Sequence, residues 1–487
     1  MRLLSYLVLA VMLIAAPERS VAEERTERFD SDPGWDAHNN RSTAFSEQKI
    51  TQHFGYSRTH HAGGKDAGEM GGSITPAAEP AYYAKTIPKA TFDSKLSASG
   101  TLACTGEMPF HALIGFFNAG TLNEWRTPNT IAIRIQGRGD VFFAYVEYAT
   151  SRWRAGGDSP GGFATLPDPQ TRRPTLRGFK THGTVHHWSI VYDPNGNDGN
   201  GSIEVTIDDE TAICHISPEH RMDGATFNRF GLLPVLKQWD NAGRVWLDDI
   251  TVNGELDDFS SDPGWDAHGN DRTYTSTNVR PRFDFGFSRT NFAGGAGAGE
   301  LGGLVFRGDI REPHRMAYYG DRIETLSLAK PMRASGKISL RRGVSDSGTL
   351  IGFFHSKQSV QANPSQSSAL PSSFLGMAIE GPSREGFLVY PAFRSARENN
   401  GRTTSGPTIL PDGAAHAWTL EYSPVAADRP GQITVTLDGK ATRLDLTATD
   451  LDPSTAFDRF GIVTTWIDGN GQHIYFDDLS YTFQQKD

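Results

Sequence analysis

FDSDPGWDAH, running from Phe29 to His38, returns as FSSDPGWDAH from Phe259 to His268, identical at nine of ten positions. The copies begin 259 − 29 = 230 residues apart in a chain of 487, so two units of that length fill almost all of it. Solenoid and propeller units are roughly 20–50 residues long and need neighbours to bury a core. A unit of this size buries its own. The chain reads as one domain written twice.

Other landmarks keep the same step. FGYSRTHHAGG (Phe54 to Gly64) answers FGFSRTNFAGG (Phe285 to Gly295), and GEMGG (Gly68 to Gly72) answers GELGG (Gly299 to Gly303). FNRFGLL (Phe227 to Leu233) matches FDRFGIV, and HHWSIVYDP (His186 to Pro194) matches HAWTLEYSP. Each copy closes on paired aspartates, in VWLDDITV (Val245 to Val252) and IYFDDLSY (Ile474 to Tyr481). The expected division is residues 23–256 and 257–487, with so short a joint near Gly254 to Asp258 that the two domains should pack together.

Within a copy the period is two. TIAIRIQG alternates Ile131, Ile133 and Ile135 with Arg134 and Gln136, and GSIEVTID alternates Ile203, Val205 and Ile207 with Glu204 and Thr206. Such alternation marks a half-buried strand. GQITVTLDGKATRLDL predicts two strands joined at Asp438-Gly439, a favoured hairpin turn. No sustained amphipathic helix interrupts the pattern, and 52 Gly and 27 Pro suit many turns. The expectation is all-β: two tandem antiparallel β-sandwiches from an internal duplication.

The net charge of −10 makes nucleic acid a poor partner. At the N-terminus, Arg2, the apolar stretch from Leu3 to Ala16 and the small-residue site Ser20-Val21-Ala22 predict a cleavable signal peptide, residues 1–22. The apolar stretch is shorter than the roughly 20 residues of a spanning helix. Secretion or periplasmic residence is therefore expected, and a transmembrane protein is not. Cys104 and Cys214 are the two cysteines, and a bridge or a pair of buried thiols both fit.

The order of features, an aromatic and acidic run with Gly-Trp, many short strands, an H-x-W strand and a closing Asp-Asp strand, resembles concanavalin A-like jelly rolls. It is similar to the tandem jelly-roll proteins exported by bacteria, to carbohydrate-binding modules and to laminin-G-like domains. The E-x-D-x-x-E motif of some laminarin-cleaving and agar-cleaving relatives is absent, so that catalysis does not carry over. The resemblance implies a structural Ca²⁺ between the first and last strands, held by Asp30, Asp32 and Asp249 in the first copy and by Asp262 and Asp478 in the second. Oxygen ligands suit such a cation. Ser260 stands where Asp30 does, one charge fewer.

The resemblance also implies a concave ligand sheet. In VFFAYVEYA, alternation puts Tyr145 and Glu147 on one face beside Arg134 and Gln136 of the neighbouring strand, with Trp125 and Trp153 in loops. The second copy keeps Tyr390 but has Ala392 opposite Glu147 and Glu380 opposite Gln136. Aromatic platforms and planar polar groups are what a sugar ring needs. Asp36, His38 and Arg58 suggest an acid/base and anion-binding set, with the ordinary alternative that a shared fold keeps them in both copies. Glu69 and Glu300, between glycines, are candidate general acids, metal ligands or strand-start residues paired to Arg58 or Arg289.

No G-x-S-x-G elbow, H-E-x-x-H helix, C-x-x-C pair or P-loop occurs. Three functions stay open: an exported protein binding poly- or oligosaccharide; a glycoside hydrolase or polysaccharide lyase using Glu147 or Glu69; and a structural or adhesive surface protein.

Overall fold

The computed structural model describes residues 23–484 except 42–46, 108–109, 123–126, 158–162, 168–169, 171–173, 237–240, 278–281, 309–312, 345, 362–369, 398–399, 404, 426–430, 448–449, 466 and 468. The expected signal peptide and Trp125 lie outside the described residues.

Strands make up almost all of the regular structure, as the period-two pattern requires. Among the described residues a single α-helix appears, Pro218–Asp223, capped by the Ser217 side chain. TIAIRIQG forms the strand Thr130–Gly137, and GQITVTL and KATRLDL form Gly431–Leu437 and Lys440–Leu446. The turn between the last two puts Asp438 and Gly439 at φ 47° and 79°, the doubly left-handed backbone that a tight hairpin takes.

Each half is a sandwich of two antiparallel sheets. In the first, the front sheet runs Ala155–Gly157, Val141–Ala149, Thr130–Gly137, Phe110–Phe117, Thr226–Pro234, Tyr82–Thr91, Asp266–His268. Its back sheet runs Glu210–His215, Ser202–Ile207, His186–Asp193, Leu96–Cys104, Gly243–Val252, Glu69–Ile74, Gln48–Ser57, Asp271–Ser276. The second front sheet runs Asp36–His38, Tyr318–Ser327, Ala456–Val463, Ser347–Phe354, Phe374–Ser383, Gly386–Arg394, Asn400–Arg402. Its back sheet runs Asp284–Ser288, Glu300–Phe306, Gly471–Gln484, Met332–Gly343, Ala415–Ser423, Gly431–Leu437, Lys440–Leu446.

The packing is out of step with the sequence repeat. Asp36–His38, from the first copy, pairs with Tyr318–Ser327 of the second, while Asp266–His268, from the second copy, pairs with Tyr82–Thr91 of the first. Glu23–Glu27 also joins the second sandwich, on Gly471–Gln484, so that Glu23 faces Gln484. Phe29 and Trp35 belong to the second core, Phe259 and Trp265 to the first. The expected division at residue 256 is corrected accordingly. The first sandwich is residues 47–276, and the second is residues 283–484 completed by 23–41. The run from Phe259 folds back on the sandwich that precedes it in the chain, whereas the run from Phe29 crosses the first sandwich to close the second.

The glycine motif is the socket for this arm. Gly68 has φ 143°, and a Cβ there would lie 1.9 Å from the Phe259 carbonyl oxygen; Gly299, at φ 149°, stands in the same relation to that of Phe29. Any side chain would push the arm off its sheet. Trp35 meets Phe29 edge-on at 5.2 Å and stacks on Tyr319 at 5.7 Å; Trp265 meets Phe259 at 5.2 Å and Tyr83 at 5.9 Å. The repeated ten residues are thus a plug-and-socket closure.

The sandwiches touch each other, as the short joint predicts. Val344 enters an apolar cluster on the outer face of the first front sheet. Glu385 accepts from Arg154 (3.5 Å) and lies 2.9 Å from the buried imidazole Nε2 of His220, whose Nδ1 is 2.8 Å from the Tyr148 hydroxyl. The Ala155 N–H donates to the Arg384 carbonyl.

Candidate functional site

The outer face of the first front sheet brings together the residues expected to meet a ligand. Because alternate positions of Thr130–Gly137 face the core, Arg134 and Gln136 face outward, opposite Tyr145 and Phe143 of the next strand. Arg134 Nε donates to Glu147 Oε1 at 2.6 Å, and its guanidinium lies 3.9 Å over the Tyr145 ring. The Tyr145 hydroxyl donates to Gln136 Oε1 at 2.8 Å. His111, one strand further in, completes the cluster with Nδ1 3.3 Å from Arg134 Nη1. His111 had no signal of its own in FHALIGFF beyond being the one titratable residue of an apolar strand. The side chains of Arg134 and Glu147 are 12% and 14% exposed, and their charge-assisted hydrogen bond holds both planar groups in place.

The second sandwich carries a variant. Arg307 Nη2 donates to Glu380 Oε1 at 2.6 Å, and the Tyr390 hydroxyl donates to Glu380 Oε2. Tyr390 sits in an apolar layer with Tyr318, Leu350, Phe354, Leu370 and Phe374 that covers this outer face. On the first sandwich a comparable layer, with Tyr82, Leu113, Phe117, Leu233 and Leu236, covers the other part of the sheet and leaves the Arg134 cluster beside it.

The Trp-Asp-Ala-His runs form a second pair of clusters, at the edges of the front sheets. His38 stacks on Tyr318 (5.5 Å) and His268 on Tyr82 (5.4 Å). The arginines that join them are not the expected ones. Asp36 accepts from Arg459 at 2.5 Å and Arg322 at 3.1 Å; Asp266 accepts from Arg229 at 2.9 Å and from the Tyr82 hydroxyl at 3.1 Å. Burial alone would raise Asp36, but Arg322 and Arg459 outweigh it and hold its carboxyl below the usual range. Burial lowers His38. Arg58 is exposed on the back-sheet side of the first sandwich, apart from His38, which belongs to the second. Arg229 and Arg459 were legible as the charged residue kept in FNRFG and FDRFG.

Glu69 has a structural task. It is fully buried and its two oxygens accept the His61 and Ala62 N–H groups at 3.0 and 2.7 Å. Glu300 likewise accepts from Phe292 and Ala293 N–H and from the Thr290 hydroxyl. Each closes a loop, which corrects both the general-acid reading and the pairing with Arg58 or Arg289.

The expected calcium ligands do not converge, and the arm exchange re-sorts them. Asp30 and Asp32 are carried on the arm of the second sandwich, to which Asp478 belongs, and Asp262 on the arm of the first, to which Asp249 belongs. Asp32 Oδ1 accepts the Gly34 N–H and the Tyr319 hydroxyl, and Asp262 Oδ1 accepts the Gly264 N–H and the Tyr83 hydroxyl. They shape the turn and anchor it to the tyrosine. Asp249 and Asp478 occupy a bulge at φ 47° and 49°. In the second sandwich Lys337 Nζ is 2.9 Å from Asp478 Oδ2 and donates to the Gly294 carbonyl, placing an ammonium where a cation would be needed. Among the described residues, no three His, Cys, Asp or Glu side chains gather as a metal site.

The buried members of the closing pairs are Asp248 and Asp477. Burial, with the neighbouring Asp249 and Glu69 charges, pushes Asp248 up to about 6; burial, with Asp478 and Glu300, does the same to Asp477. Trp153 is half-buried at φ 61° in the loop after Val141–Ala149, outside the hydrogen-bonded cluster. Cys104 and Cys214 are buried thiols not joined by a disulfide. Among the described residues, no helix is long and apolar enough to cross a membrane.

No family model and no curated protein sequence matches the chain. Several solved structures are similar to it. Domains LG4-5 of the mouse laminin alpha1 chain share 11% identity, covering 85% of this chain and 92% of that one at a TM-score of 0.23. An alginate lyase from Pseudomonas aeruginosa shares 11%, covering 41% and 86% at 0.25. The carbohydrate recognition domain of Emp47p shares 8%, covering 46% and 96% at 0.24. At these identities and TM-scores they carry no argument about this chain. Its own sheets make it an antiparallel β-sandwich protein.

Proposed function

We propose that this chain is an exported glycan-binding protein, freed of residues 1–22, and that the Arg134–Gln136–Tyr145–Glu147 cluster with His111 is its sugar-contacting surface. One observation carries the reading: planar donors and acceptors and an aromatic ring are fixed against each other on an outer sheet face before any ligand arrives. A prearranged polar surface spares a ligand the cost of ordering it. Sugar hydroxyls pair well with guanidinium, carboxylate and amide groups, and Tyr145 adds an aromatic ring beside them. Glu147 Oε1 already accepts from the Arg134 guanidinium at 2.6 Å, so the carboxylate is held in place as a hydrogen-bonding group. Hydrolysis would call for two carboxyl groups about 5 to 9.5 Å apart across the bond; the partner that holds Glu147 is Arg134.

The test is a glycan array on the full chain, followed by calorimetry on its hits with Arg134→Gln and Glu147→Gln. Each substitution removes a charged hydrogen-bonding group, worth about 1.5–3 kcal/mol, and should weaken binding at least about tenfold. Unchanged affinity in both variants would overturn the assignment. Reducing-end and unsaturated-product assays on the same glycans should stay blank; turnover lost in Glu147→Gln would replace binding by catalysis.

A further inference from the structure

Equivalent clefts open on the outer faces of the two back sheets, beside Gly71-Gly72 in the first and Gly302-Gly303 in the second. They differ in charge. The first, of about 430 Å³, is lined by His53, Asp262, Asp271, Arg244 and Trp246, a mixture of signs. The second, of about 520 Å³, is lined by Arg41, Arg282, Arg289, His473 and Tyr475, with Asp284 as its one carboxylate. Both volumes fall within the roughly 300–1,000 Å³ of small-ligand sites.

The difference lies in the arms and in the sheets beneath them. The sheet register matches Asp284 to His53 and His473 to Arg244. Across the first cleft His53 Nδ1 meets Asp271 at 2.8 Å; across the second the polarity is reversed, with Asp284 facing Arg41 at 3.5 Å. Arg41 arrives on the N-terminal arm, donates to the Phe287 carbonyl at 2.6 Å, and keeps 57% of its side chain exposed. Arg289 is exposed on the rim. Beside the cleft, Arg341 lies 3.9 Å over Phe292, which packs edge-on against Tyr475 at 4.8 Å. The field is strongly positive. His473 is driven down to about 4 by burial and then by Arg342 and Arg282, against an opposing pull from Asp284 that exceeds the small contribution of Arg341. Glu300, the nearby buried carboxylate, is occupied with its own loop. Such a concentration of guanidinium groups stands out in a chain of net charge −10.

We propose that the cleft of the second sandwich binds the anionic group of an acidic oligosaccharide, Arg282 and Arg289 engaging its uronate carboxylates or sulfate esters while Tyr475 and Phe287 flank the ring. This rests on the glycan-binding reading and adds to it a ligand class and a separate site. Guanidinium forks suit planar carboxylates and sulfates. The first cleft, with Asp262 and Asp271 in its lining, does not share this preference.

The probe is tri-galacturonate, titrated calorimetrically into the full chain beside its neutral methyl-ester form and sodium sulfate. The charged trimer should bind at least about tenfold more tightly than the ester, and its affinity should fall as salt is raised. Arg289→Gln and Arg282→Gln should each cost about tenfold or more, while Arg58→Gln, at the equivalent position of the first cleft, costs nothing. Arg289 is exposed, so its variant keeps the fold, which near-UV circular dichroism checks. Equal affinity for trimer and ester overturns the proposal, as does sulfate binding as tightly as the trimer. Loss in Arg134→Gln with none in Arg289→Gln would remove the cleft and leave the glycan-binding reading intact. Loss confined to the cleft variants supports the second site.

Discussion

Replacing Trp35 by alanine should loosen the far end of the chain rather than the sandwich encoded next to it. Trp35 is 7% exposed and lies among Phe29, Tyr319 and Tyr481, at ring separations of 5.2, 5.7 and 6.1 Å. Truncating a buried tryptophan typically costs about 3–5 kcal/mol. At about 1.4 kcal/mol per factor of ten, that is roughly a hundredfold to several-thousandfold increase in opening of the elements it holds. Hydrogen exchange with peptide resolution reads this directly, because protection is lost only where the opening occurs. Amides of Tyr318–Ser327, Ala456–Val463 and Gly471–Gln484 should exchange faster, and those of Tyr82–Thr91 and Gly243–Val252 should not. Trp265→Ala should give the mirror image. If Trp35→Ala deprotects Tyr82–Thr91 and spares Tyr318–Ser327, the arm closes its own copy and the exchange described here is refuted.

Two further outcomes follow from the buried closing strands. Asp248 and Asp477 titrate near 6 when folded and near 3.8 when exposed, so between those values the folded chain holds protons that the unfolded chain has released. Their contribution is largest below about pH 4, falls as pH rises to about 6 and is flat above; the stability difference between wild type and Asp248→Asn/Asp477→Asn, measured by urea denaturation from pH 4 to 8, should follow that curve, and a pH-independent difference would contradict it. Cys104 and Cys214 are buried and not joined by a disulfide, with Cys104 raised well above the usual thiol range by burial. A colorimetric thiol reagent should therefore find neither in the native chain and both in guanidinium without reductant; finding neither after unfolding would mean a disulfide.

The strands were legible because one face of each is buried, and burial on one face is what writes period two into a sequence. Ile131, Ile133 and Ile135 therefore announced Thr130–Gly137 and, by default, turned Arg134 and Gln136 outward toward Tyr145 and Glu147. Pairing between copies was not legible. Asp36–His38 and Asp266–His268 are identical strings, and nothing in either says which of two similar sheets it will meet. The same ambiguity misplaced the aspartates, because Asp30 and Asp32 were sorted by sequence neighbourhood with Asp249 when their arm belongs to the sandwich of Asp478. Glu69 misled for a different reason. A carboxylate between glycines looks accessible, but the glycines admit the arm's carbonyl, and the carboxylate turns inward to backbone N–H groups that the loop leaves unpaired.

A unit offset from its repeat has a consequence for where two similar halves can come to differ. Each cleft on a back sheet is lined by a body and by the arm that docks on it, and the arm on the second body is encoded some 240 residues before it, since Arg41 faces Asp284 and 284 − 41 = 243. A change in one arm therefore alters the cleft of one sandwich without touching its strands, cores or sockets, all of which both copies keep. Arg41 against Asp284 and Asp271 against His53 are such a divergence. The fold holds the two bodies alike through Trp35, Trp265, Gly68 and Gly299, while Arg41 and Asp271, just past each plug, add charges of opposite sign to the clefts beside them. The arm's contribution to cleft charge and the plug's contribution to stability are separable by substitution because they lie on nearby residues with different partners.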